Sequence, residues 1–115
     1  MVELTRVERD LLAQGVLQWG GPARPSAALA TALHVASVDA LVDAGMRLCD
    51  KLRGTDTLSE EEMIFALVST ELNFASDRWG AGYEWATVSG YSDEETITLL
   101  RRLQVKLVAV GGRPW

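Results

Sequence analysis

The sequence predicts an all-α protein, an irregular bundle of four main helices plus one or two short helices. Three observations carry this. Apolar residues recur at three- and four-residue spacing in four long segments. Three of these segments open on a Ser or Thr followed three positions later by Glu (Thr5/Glu8, Ser59/Glu62, Ser92/Glu95), the pairing that caps a helix N-terminus reciprocally. No segment alternates apolar and polar residues long enough to demand a strand; the one β-leaning stretch, residues 105–110, continues a helical stripe.

The first helix follows Thr5 and carries Val7, Leu11, Leu12 and Val16 on one face. It should stop near Gly20-Gly21-Pro22, where glycine relaxes the backbone and proline removes a donor. Gly15 inside it weakens the pattern slightly. After a proline-bracketed turn, Ser26 caps a short apolar segment, residues 27–34. Ser37 caps the next helix, with Asp39 at its positive end and Val38, Leu41, Val42, Gly45, Leu48, Cys49 and Leu52 on one face, up to a stop at Gly54. Ser59 opens the third long helix, with Leu58 and Met63 placed for a hydrophobic staple. Residues 63–68 are apolar all round, so this helix should be central and largely buried, running to about Trp79. Gly80-Ala81-Gly82 breaks the pattern, and residues 83–90 fit either a short helix or an ordered loop. The last helix follows Ser92 with the stripe Ile97, Leu100, Leu103, Leu107 and ends at Gly111-Gly112. Residues 1–112 read as one domain and residues 113–115 as a loose tail.

Composition excludes several classes. The single cysteine, Cys49, rules out a disulfide framework, and no apolar run approaches the length of a membrane span, so a cytoplasmic, membrane-free protein is expected. Net charge is −5, unevenly spread: residues 1–54 balance to zero, residues 55–100 carry −9 and residues 101–115 carry +4. An acidic centre disfavours nucleic acid and favours a basic partner.

Catalytic and metal-binding signatures are absent, so neither an enzyme nor a cofactor is expected. His34 is the sole histidine and lies in an apolar run, which fits a packed or helix-terminal residue better than a general base. Cys49 lies on an apolar face and reads as a small hydrophobe. The acidic triplets at residues 60–62 and 93–95 lack the ligand spacing of a calcium loop and are explained by the serine caps before them. Gly80-Ala81-Gly82 has neither a preceding strand nor a following lysine, so it makes no phosphate cradle.

Leu29, Ala30, Leu33, Val35 and Ser37 resemble the first half of a helix-turn-helix over about twenty residues, with His34 where that motif usually has glycine. The resemblance implies a transcription-associated DNA-binding protein. The first turns after Ser37 carry Asp39 and Asp43, however, and phosphates repel acids there.

The segment from Phe74 to Tyr91 mixes Trp79, Tyr83 and Trp85 with glycines and charges, a combination used by recognition surfaces. Trp79 extends the stripe of the preceding helix and should fill the core; Trp85 should be an exposed anchor. Asp77, Arg78, Tyr83, Glu84 and Trp85 are therefore the candidate partner-binding residues. The favoured function is a small acidic, non-catalytic protein-interaction or regulatory module, with homo-oligomers left open. The alternatives are a helix-turn-helix DNA binder and a small-ligand-binding helical protein with a pocket near residues 71–85.

Overall fold

The long helices begin where a hydroxyl side chain takes over an amide that the first helical turn leaves free. In this computed structural model, which describes the backbone of residues 3–111 and the side chains of residues 3–107, the elements are α1 (Arg6–Leu17), α2 (Ala27–Ala32), α3 (Val38–Arg53), α4 (Glu60–Ala75), α5 (Trp85–Ser89) and α6 (Asp93–Gly111), with single 3-10 turns at Gln18–Gly20 and Gly82–Glu84. The fold is all-α, and no strand occurs among the described residues. The predicted tail, residues 113–115, and Gly112 lie outside them.

All three capping boxes form. Thr5 Oγ1 accepts the Glu8 N–H at 3.2 Å while Glu8 Oε1 accepts the Thr5 N–H at 2.8 Å. Ser59 and Glu62 do the same at 3.1 and 2.8 Å, and Ser92 and Glu95 at 3.1 and 2.9 Å. Ser37 Oγ accepts the Ala40 N–H at 3.0 Å to start α3. At α4 the staple residues Leu58 and Met63 are both buried. Ser59→Ala is therefore expected to cost about 1 kcal/mol, the usual loss for a serine cap. Urea denaturation checks this, and an unchanged midpoint would remove Ser59 as a cap.

The middle of the bundle is α1, packed by α3, α4 and α6, and not α4 as the apolar run at residues 63–68 suggested. Leu11, Leu12, Ala13 and Val16 are at most 2% exposed. Gly15 is what lets α4 approach: a Cβ at this position would collide with Thr70, and the Asn73 side-chain amide donates to the Gly15 carbonyl at 2.9 Å. The sequence rule that glycine weakens a helix is outweighed here by a close helix crossing. Arg6 and Arg9 join α1 to the end of α3. Arg9 donates from Nε to the Leu52 carbonyl at 2.9 Å and from Nη2 to the Lys51 carbonyl at 2.7 Å, and Arg6 Nη2 donates to the Leu52 carbonyl at 2.8 Å. These guanidinium groups satisfy carbonyls that the helix end leaves free and place positive charge at its negative pole.

Glu8 has a second role that its capping position does not announce. Its side chain is fully buried and ion-pairs with Lys106 of α6, with Arg102 of α6 3.5 Å away. Lys106 Nζ also donates to the Glu3 carbonyl at 3.1 Å, so α6 is held to the start of α1 through charge. Nearby, the Tyr91 hydroxyl donates to Asp10 at 2.6 Å; burial and this carboxylate push the phenol up to about 12.

The face of α6 also differs from the expected stripe. Leu100 and Leu103 are buried as predicted, but Ile97 is 49% exposed and Thr96 and Leu99 take the inward positions beside them. Thr96 is kept inside by its hydroxyl, which donates to the Ser92 carbonyl at 2.8 Å and accepts from Trp85.

An apolar groove between α3 and α4

The candidate site starts at the end of α2. The Val35 N–H donates to the Ala30 carbonyl at 2.8 Å and the His34 N–H to the Thr31 carbonyl at 3.0 Å, the two bonds of a Schellman cap. His34 occupies the position in this cap that glycine usually takes, at φ +61°. The cap turns the chain sharply and Ser37 then starts α3, so residues 33–37 join the two helices through a short turn.

Beyond this turn, a groove of about 850 Å³ lies between α3 and α4. Its apolar walls come from Leu33 and Val35 of the turn, Leu48 of α3, and Ile64, Phe65 and Val68 of α4. Ile64 is 48% exposed, and Phe65 and Val68 are half-buried. The run at residues 63–68 thus splits into two halves. Met63, Ala66 and Leu67 face the core; Ile64 and Val68 line the groove, and Phe65 lines it while also packing against the core. Charged residues rim it: Arg47, Asp50 and Lys51 on α3, Glu61 and Glu62 on α4. Lys51 and Glu62 neutralise one another across the groove at 2.8 Å, and the Lys51 ammonium together with the Ser59 amide holds the Glu62 carboxyl below its usual value. With that pair set aside, the rim has two acids, Asp50 and Glu61, and one base, Arg47.

The residues singled out from the sequence are arranged differently. Trp85 is not an exposed anchor: its ring is fully buried, packs edge-on to Phe74 with centroids 6.0 Å apart, and donates from Nε1 to Thr96 Oγ1 at 2.8 Å. Trp79 is not core filler either. α4 ends at Ala75, four residues short of it, because Ser76 Oγ accepts the N–H groups of Arg78 and Trp79 at 3.2 and 3.0 Å and turns the chain. The Trp79 ring is half-buried, with the Arg78 guanidinium 5.0 Å over it. The stripe of α4 that leads towards it is only half-buried, and Ala75 at its end is exposed. Residues 83–90, undecided from sequence, form the end of a 3-10 turn followed by α5. Gly82 makes that turn at φ +52°, and Asp77 Oδ1 accepts the Tyr83 N–H at 2.8 Å. Asp77, Arg78, Tyr83 and Glu84 share the surface there, with Tyr83 83% exposed.

Groups of possible chemical interest are placed as follows. Cys49 is buried, and burial pushes its thiol up, away from the thiolate that reactivity requires. His34 is exposed at the lip of the groove. Among the described residues no cluster of three or more His, Cys, Asp and Glu side chains is placed to hold a metal ion, and no helix is long and apolar enough to cross a membrane.

The groove was missed from sequence, although its signal was present. An all-round apolar helix satisfies either a central position or two separate apolar contacts, and the pattern alone does not separate them. Comparison of the chain with protein-family models, curated proteins and solved structures gave no match.

Proposed function

We propose that the protein is a non-catalytic interaction module that receives an amphipathic helix of a partner protein in the groove between α3 and α4. The observation that carries this reading is the outer half of α4. Ile64, Phe65 and Val68 line the groove as partly exposed apolar residues, next to Leu33, Val35 and Leu48. An amphipathic helix seated in such a groove buries its own apolar stripe against this face. The occupant is best matched by basic flanks. The unpaired rim charges are acidic by one, and residues 55–100, which include α4, carry −9. Tyr83, with Asp77, Arg78 and Glu84 beside it, belongs to the same proposal as a second exposed contact area. A cytoplasmic site of action is part of the reading too, consistent with a free, buried Cys49.

DNA binding is the second reading, since α2, the turn at His34 and α3 follow one another in the order of a helix–turn–helix. Against it, the exposed polar residues in the first turns of α3 are Asp39 and Asp43, which duplex phosphates repel. A groove of this volume is also large enough for a small molecule. Its polar groups, however, lie on the rim.

Fluorescence anisotropy tests the proposal with three labelled probes: a designed helix with a Leu stripe and Lys flanks, its Glu-flanked counterpart, and a DNA duplex. The Lys-flanked helix is expected to bind most tightly. Ile64→Gln should weaken it about tenfold, as loss of an interface anchor does, while changing stability by only about 0.5–1 kcal/mol at a half-exposed position. Binding that is indifferent to Ile64→Gln would sink the groove, and tighter, salt-sensitive binding of the duplex would put the second reading first.

A further inference from the structure

His34 is the one non-glycine residue with positive φ among those described, and it lines the groove. The two facts bear on each other. A left-handed conformation forces Cβ against the following carbonyl, so side-chain-bearing residues are disfavoured there and glycine is free of the penalty. Position C′ of a Schellman cap is where glycine is most enriched in helical proteins. Nothing in the cap itself uses the imidazole: the bonds that close the turn come from the backbone N–H groups of His34 and Val35. The side chain is exposed, so it does not fill the core. A left-handed conformation kept by a non-glycine residue whose side chain is exposed points to a use outside the fold. His34 lines the groove together with its chain neighbours Leu33 and Val35 and with Arg47 of α3.

We infer that His34 is a specificity-determining residue, a polar contact at the groove's lip for the helix that docks there. This rests on the reading of the groove as a helix-docking site. An imidazole carries two ring nitrogens able to form directional hydrogen bonds, which suits it to engage a polar side chain beside an apolar stripe or a free backbone group at a helix end. The apolar walls supply non-directional attraction and the Asp50 and Glu61 charges favour basic flanks. His34 adds a directional contact that fixes how far along the groove the occupant sits.

Two variants test this against both stability and binding. His34→Gly removes the side chain and the strain, and should raise the thermal midpoint by about 2–4 °C for a chain of this size. The same variant should bind the Lys-flanked helix about five- to tenfold more weakly, the loss expected for one hydrogen bond at an interface. His34→Asn keeps a polar side chain that tolerates the left-handed conformation, and should restore at least half of the lost affinity without the full gain in midpoint. A gain in midpoint with weakened binding, and rescue by asparagine, supports the inference. Unchanged binding by His34→Gly, with Ile64→Gln still weakening it, overturns the role of His34 and leaves the groove standing. An unchanged or lowered midpoint in His34→Gly overturns the argument from strain. Failure of the wild-type protein to bind the probe overturns the groove reading and this inference with it.

Discussion

Replacing Trp85 with alanine is expected to cost about 3–5 kcal/mol, the usual range for a fully buried aromatic side chain. The ring is completely enclosed, edge-on to Phe74 of α4, and its indole N–H ends on Thr96 of α6. It therefore joins α5, α4 and α6, and its loss leaves a cavity where three helices meet. The marginal stability of an ordinary domain is about 5–15 kcal/mol, so this one change removes a large share of it. Trp85→Phe separates the two contributions: it keeps most of the packing and loses the hydrogen bond, which should cost about 1–2 kcal/mol. Trp79→Ala should cost less than Trp85→Ala, because Trp79 is only partly buried and Trp85 is fully enclosed. Urea denaturation of the three variants checks the order. Equal losses for Trp79→Ala and Trp85→Ala would contradict the burial described here.

The second large effect concerns Glu8 and α6. Lys106→Met should destabilise the protein by about 3 kcal/mol at pH 7, since it leaves a fully buried carboxylate with the Thr5 N–H and, at the margin of contact, Arg102. The pH dependence identifies the cause. Burial by itself raises the Glu8 carboxyl; the Lys106 ammonium and the Thr5 backbone N–H outweigh it and hold it below the usual glutamate value. A carboxyl depressed in the folded state contributes stability that is fully present above its unfolded value, about 4.3, and is lost as pH falls through the folded value. Wild type should therefore lose this increment on acidification below about pH 4.3. In Lys106→Met the carboxyl no longer has its ammonium, so the variant should lose less over the same window, and its deficit relative to wild type should shrink. Denaturation at pH 7 and pH 3.5 measures this. A deficit of the same size at both pH values would mean that Lys106 acts through the packing of its methylene stem.

The sequence by itself determined whatever depends on neighbours along the chain. Helix starts were legible because a cap is a contact between residues three apart: Thr5 with Glu8, Ser59 with Glu62, Ser92 with Glu95. The stop of α3 at Gly54 and the short helix after Ser26 were legible for the same reason. The inward face of α3 was read nearly complete, because Leu41, Gly45, Leu48, Cys49 and Leu52 form a narrow stripe with a single solution. The tertiary structure decided everything that periodicity leaves degenerate. Residues 63–68 of α4 have no polar side, so the pattern could not say which half meets the core; α1 took one half and left the other to the groove. Glu8 looked like a capping residue and nothing more, since its partners lie 94 and 98 residues away on α6. The places of Trp79 and Trp85 were decided in the same way: Ser76 ended α4 before Trp79, which is half-buried, while Thr96 received the Trp85 ring inside. A stripe on a helix states which residues can be buried together. Which stripe wins depends on the helices that arrive to cover it, and that is a property of contacts distant in sequence.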